Sequence, residues 1–465
     1  MGESLLIKKE TINNPTALVK VNTIVGVTIT CTCGSTTRRK TATEEVVEFR
    51  LDYGTWIISA EIEGKTYSKT LIIDTLQVYE IKLKGCSTFG IAIDMNESDP
   101  EAAVTYLGDA AGFTPLTNSN YGSWTDLIKE FFGCRPCLYN GSVVGYLNPN
   151  DYTKFEDGST ADITSGKSGN VMVEFKKLYY KYELTNADTI LTFKVTDDES
   201  AVDDGFTCAA FKSMDGTGAV KDYMYYGAYE GYKSGFVLKS LSGKTVTGSD
   251  SYTNFRTYCQ ANGSTYGMED WAKRYYILGL LMLVTKTRGI QEVIGNGICN
   301  FKNIDSDITT GTMNTRGLFY GGASSVGVKA FGIENLWGNL YEWCDGIITL
   351  SSSTLGFKDC APYNDTGSGY TSVADGYTRG SGSVKLYPTK MKPVMNGAAI
   401  TAWTGQSDSS IGWCDYWYVD SGSGRVALVG GGYSDSAASA GPFFAYVING
   451  PSRAASGYCA RVVAS

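Results

Sequence analysis

Any chemistry in this chain must work without imidazole, because its 465 residues include no histidine. That removes Ser-His-Asp and Cys-His nucleophiles, imidazole general bases and histidine-ligated zinc or iron together. Thiols remain, but the twelve cysteines are scattered from Cys31 and Cys33 to Cys459, and only Cys134-Arg135-Pro136-Cys137 has CxxC spacing. With no second pair it is half a zinc site, and packing is the expected use of both thiols. The run from Ala161 to Gly166-Lys167-Ser168 ends like a phosphate-binding loop. Ala161, however, stands where a glycine must let the backbone wrap the phosphate, so a turn is expected. Carboxylates crowd between Asp151 and Asp162 without the spacing or glycine of a calcium loop, which reads as a solvated acidic loop. Paired carboxylates could cleave glycosides without histidine, yet among 48 acidic residues no pair stands out. Glu342, between Tyr341 and Trp343, is the carboxyl whose neighbours would most raise its proton affinity, and a structural hydrogen-bonding role is expected for it. No cofactor and no metal site is expected.

The net charge of −8 lacks the phosphate attraction that drives nucleic-acid binding, so no nucleic-acid partner is expected. Membrane insertion is not expected either. The longest apolar run, Tyr275 to Val284, is bracketed by Lys273, Arg274 and Lys286, is about half a bilayer span, and reads as a buried helix. The N-terminus carries Glu3, Lys8 and Lys9 where an export signal needs apolar residues, which favours assembly into a virion, or display on a bacterial surface by another route.

The elements that must position any site fall into two parts. Residues 1–84 alternate in short β-branched and aromatic bursts between turns at Asp52-Tyr53-Gly54 and Glu63-Gly64, the pattern of a small antiparallel sandwich serving as spacer or attachment. It resembles the immunoglobulin-like modules of phage tail and surface proteins. Residues 85–465 form the second part. A helix is predicted at 124–132 with Ser123 as its N-cap, a loop leading to strands in a β-hairpin region around 146–183, and a helix at 269–284 whose Trp271, Tyr275, Leu278 and Met282 cover one face of a sheet. The glycine-, serine- and threonine-rich stretch 345–425 reads as long surface loops.

The densest signal is Gly338-Asn339-Leu340-Tyr341-Glu342-Trp343, followed by Arg425-Val426 with Gly430-Gly431, and at the end Cys459-Ala460-Arg461. Together these resemble the C-type lectin fold of the formylglycine-generating-enzyme type, in which a GNxxEW element precedes an RVxxGGxW strand-turn and the chain ends in GxR. Cys459 stands where that family has glycine, and Tyr433 where it has tryptophan. The family's oxidases need a cysteine pair near this terminus, and only Cys459 lies between Gly430 and Ser465. The EPN, QPD and WND calcium tripeptides of animal lectins are absent too, so calcium-dependent glycan binding is not implied.

The resemblance extends to the variable proteins of diversity-generating retroelements, among them tail-fibre receptor-binding proteins of phages. Their randomised AAY codons never reach Lys, Glu, Gln, Trp or Met, and residues 430–465 contain none of those five. It implies a ligand-binding set of Gly432, Tyr433, Ser434, Asp435, Ser439, Phe444, Ala445, Tyr446, Asn449, Arg453, Ser456 and Tyr458, all displayed, with Gly441, Pro442 and Pro451 as scaffold. Large tyrosines with adaptable polar neighbours suit recognition at low entropic cost. The reading is therefore an α+β chain, an immunoglobulin-like β-sandwich followed by a C-type lectin-like body with long loop insertions. Its role would be a non-enzymatic receptor-binding protein at a phage tail tip. The implied partners are a bacterial surface receptor, protein or glycan, other tail proteins, and two further copies in a homotrimer. A polysaccharide depolymerase using paired carboxylates, or an invariant structural tail or adhesin subunit, are the alternatives.

Overall fold

The computed structural model describes residues 16–62, 65–83, 86–300, 309–374, 383–388, 390–394, 399–400, 405–406, 413, 415, 417–437 and 439–465. The chain divides into two compact units, Met1–Ser87 and Thr88–Ser465.

In the first unit Val46–Leu51 alternates exposed and buried residue by residue, the period of a strand with one wet face. It pairs antiparallel with Ala17–Asn22, which pairs in parallel with Val78–Lys82. A second sheet orders Thr36–Thr41, Thr28–Cys33, Gly54–Ile62 and Lys65–Ile73, all antiparallel. Val19, Val21, Phe49 and Leu51 from the first sheet share one core with Ile29, Cys31, Trp56 and Ile58 from the second.

The second unit is organised around the helix Trp271–Thr285, every residue of which is buried. Asp270 caps it, accepting from the Lys273 amide at 2.9 Å. The prediction of a helix covering one sheet face is corrected: the sequence is apolar on all sides, so elements pack all round it. Gly279 lets the helix pack closely, since a Cβ there would lie 2.5 Å from the Phe193 ring. The predicted helix at 124–132 is reduced to Gly122–Trp124 and Leu127–Glu130, and Ser123 accepts from the Thr114 amide at 3.0 Å instead of capping.

Within 146–183, read as a β-hairpin region, Val143–Asn148 pairs antiparallel with Asp151–Phe155 across Pro149 and Asn150, whereas Asn170–Lys176 and Tyr179–Thr185 do not pair with each other. The first belongs to a seven-stranded sheet that also holds Arg135–Tyr139, Tyr223–Gly227 and Val462–Ala464, and the second to a four-stranded sheet. Cys134 and Cys137 flank Arg135-Pro136 in different cores and are free thiols. Among the described residues of the stretch read as loops, 345–425, strands Tyr341–Ser351, Thr354–Phe357, Thr371–Ala374, Ser383–Pro388 and Trp417–Asp420 join a C-terminal sheet instead. Its middle runs Tyr341–Ser351, Val426–Val429, Ala445–Asn449, Trp417–Asp420, with Tyr458–Ala460 parallel to the first. Among the described residues no helix is long and apolar enough to cross a membrane.

Candidate functional site

The motif residues build a rigid seam behind the C-terminal sheet. Asn335, Gly338 and Asn339 have φ of +51°, +76° and +65°, values that asparagine and glycine tolerate, and they turn the chain sharply into the long strand Tyr341–Ser351. Both asparagine side chains donate to Glu230 Oε2, Asn335 at 3.2 Å, while the Leu340 amide donates to Oε1 at 3.2 Å. Burial pushes the Glu230 carboxyl up to about 7, against the pull of Arg461 and these donors. Glu342 is buried beside it and grips Arg461 bidentately, Nε to Oε2 at 3.0 Å and Nη2 to Oε1. Burial raises the Glu342 carboxyl and Arg461 opposes it. Arg461 spends its other N–H groups on the carbonyls of Gly227, Glu334 and Asn335, at 3.0, 2.9 and 3.2 Å. A second buried pair, Arg274 with Glu269 at 2.9 Å, donates onward to the carbonyls of Leu336 and Pro442 at 3.2 and 3.1 Å. The Glu342–Arg461 pair joins the motif strand to the terminal strand, and the Arg274 contacts fix the loop carrying Pro442. Glu342 is thereby structural.

The opposite face of the same sheet carries aromatics in register. Trp343 stands opposite Leu428, Leu428 opposite Tyr446, and Tyr446 opposite Tyr418, while Tyr341 stands beside Tyr458. The helix Tyr252–Gln260 covers part of this face, with Tyr252 edge-on to Trp343 at 5.6 Å and Phe255 in the same core as Val426 and Leu428. Tyr341, Tyr418, Tyr446 and Tyr458 are only partly buried. Their rings are linked at 5.7 Å (341 to 458), 6.0 Å (341 to 446) and 5.3 Å (418 to 446). Phe444, 1 % exposed, lies beneath, 5.7 Å from Tyr341. Tyr458 accepts from Asn449 Nδ2 at 3.2 Å. Burial raises the Tyr446 phenol to about 12; Tyr458, Tyr418 and the Asp435 charge add to the rise and Arg453 opposes it.

Of the twelve positions read from the sequence, Tyr446, Asn449 and Tyr458 meet in this aromatic group. Ser434, Arg453 and Ser456 are exposed. Tyr433 packs instead against Val246, Leu340 and Cys459. Gly432, Ser439, Phe444 and Ala445 are buried, which corrects the expectation that all twelve are displayed. A Cβ on Gly432 would lie 2.5 Å from the Tyr341 ring; Ser439 Oγ is held by Ser436 Oγ at 2.8 Å; Ala445 faces inward with Val447, on the side opposite Tyr446. Tyr341 and Tyr418 were missed. Tyr341 shares a strand face with Trp343 by simple alternation, a legible signal, but its pairing with Tyr458 needs the register.

No family model and no curated protein matches the chain. Among solved structures the Major Tropism Determinant U1 Variant aligns at 12% identity over 90% of this chain and 82% of its own, and the Major Tropism Determinant M1 Variant at 12% over 88% and 80%. The TM-score is 0.27 for both, a likeness too slight to assign a fold.

Proposed function

We propose that the chain is a non-enzymatic receptor-binding protein whose working surface is the tyrosine group Tyr341, Tyr418, Tyr446 and Tyr458 together with Asn449, Asp435 and Arg453. The observation carrying this reading is the contrast between the two sheet faces. One face is fixed by buried ion pairs whose arginines also donate to backbone carbonyls, and the other leaves four large amphipathic rings partly open. Tyrosine supplies much contact area for little side-chain entropy, and a pre-organised backbone removes the ordering cost of binding.

In this reading the second unit has the C-type lectin fold of the formylglycine-generating-enzyme type, supported by the Glu342–Arg461 pairing of its two motif ends. The exposed or half-exposed positions of 430–465 are those a diversity-generating retroelement varies. The protein sits at a phage tail tip, assembled with other tail proteins, as a homotrimer, and meets a bacterial surface receptor.

Tyr446→Ala combined with Tyr458→Ala is expected to reduce adsorption to cells bound by the unaltered protein at least tenfold, with the melting temperature within a few degrees. Unchanged adsorption would overturn the site. Fixed identities at Tyr446, Asn449 and Tyr458 among sibling isolates would separately overturn the diversification.

A further inference from the structure

A second site lies in the same unit, at the CxxC sequence that packing alone does not exhaust. Arg135 and Pro136, between the two buried thiols, line a cavity of about 420 Å3 whose other polar walls are Lys129, Asn148, Asn150 and Glu156. The Arg135 guanidinium lies flat over the Tyr146 ring, 3.2 Å from its centroid, and that ring is held by its hydroxyl donating to Glu174 at 3.0 Å. Arg135 is therefore fixed in place before any ligand arrives.

It is also underused. Nη2 donates to Glu156 Oε2 at 2.7 Å, and Nε has no partner among the described residues. Lys129 reaches the other oxygen of the same carboxylate at 3.4 Å, with its side chain 55% exposed. Two cations thus share one anion in the cavity wall, while the other carboxylate near Arg135, its cross-strand partner Glu174, is held by the Tyr146 hydroxyl. Asn148 Oδ1 accepts from the Asn150 backbone amide at 2.9 Å, closing the turn that borders the cavity, and both asparagines line it. Pro136, Pro149 and Leu318 supply flat apolar walls.

The geometry points to a binding site for a carboxylated sugar, a uronic-acid-type pyranose. Its carboxylate bridges Arg135 and Lys129, its hydroxyls meet the asparagine amides, and one ring face lies on the prolines. A planar guanidinium matches a carboxylate bidentately, and a cavity of this size suits a single sugar ring. The site is independent of the tyrosine surface.

Calorimetric titration of the full chain at low salt with D-glucuronate, D-glucose, acetate and inorganic phosphate tests it. D-glucuronate is expected to bind, with D-glucose, acetate and phosphate each at least tenfold weaker. Lys129→Gln and Asn150→Ala, both at solvent-accessible positions, are each expected to weaken glucuronate five- to tenfold without moving the melting temperature. No heat with glucuronate, or wild-type affinity in the double variant, would overturn the site. Acetate or phosphate binding as tightly as glucuronate would overturn the sugar in favour of a bare anion.

Discussion

Arg461 and Glu342 close the C-terminal segment onto the motif strand in a place sealed from water, 0% and 2% exposed at the side chain. Removing one partner strands the other as a buried charge, so Arg461→Met is expected to cost about 3–5 kcal/mol in urea unfolding, and adding Glu342→Leu to recover most of it. Asp415 is the contrasting case. It is buried with one oxygen accepting from the Phe443 amide at 2.8 Å, and the other has no partner among the described residues. Burial raises its carboxyl to about 8 against that hydrogen bond and the more distant Arg274. The native chain therefore holds this proton where the unfolded chain has lost it. The stabilisation is complete below the ordinary aspartate range and is lost as pH rises towards about 8. Asp415→Asn is expected to flatten the melting temperature across that window; an unchanged slope would show that Asp415 does not titrate there.

At the scale of elements, the strand Ala445–Asn449 separates two roles by alternation. Ala445 and Val447 face the core while Tyr446 faces out, and Phe444 just before it is buried. Phe444→Ala is expected to cost about 3–5 kcal/mol and Tyr446→Ala distinctly less, measured by chemical denaturation. Loss of binding in the first would reflect a collapsed platform, and in the second a lost contact. The central helix is constrained in the opposite sense to its local preference. Alanine in place of Gly279 would gain about 1 kcal/mol of helix propensity, but its Cβ would meet Phe193 at 2.5 Å and the Tyr182 hydroxyl at 2.6 Å. Gly279→Ala is accordingly expected to be net destabilising, by about 1–3 kcal/mol, in a thermal melt.

At the scale of the whole molecule, the two units have separate cores, one centred on Trp56 and the other on the helix Trp271–Thr285. Trp56→Ala is expected to lower one calorimetric transition and leave a second in place, with adsorption through the tyrosine surface unaltered. A single transition that shifts as a whole would show the units to be coupled. The sugar site and the tyrosine surface both belong to the second unit, so their titrations should survive that substitution together.

Residue types and local periodicity settled a good deal. The absence of histidine closed whole classes of catalysis, the alternation in residues 15–84 announced strands, and the apolar run at Tyr275 to Val284 announced a buried helix. Glu342 was legible as a structural tie because a polar group beside a tryptophan must be bonded to be buried, whereas its partner Arg461 was not. Display was not legible. Phe444 and Tyr446 share one side of the strand, and which of them meets solvent depends on what packs over that side, to which the helix Tyr252–Gln260, almost two hundred residues earlier in the chain, contributes part of the cover. The same holds for the cavity at Arg135, whose walls come from five separate stretches of chain. Spacing along the chain fixes period and propensity, whereas long-range pairing alone fixes which side chains end up beside one another.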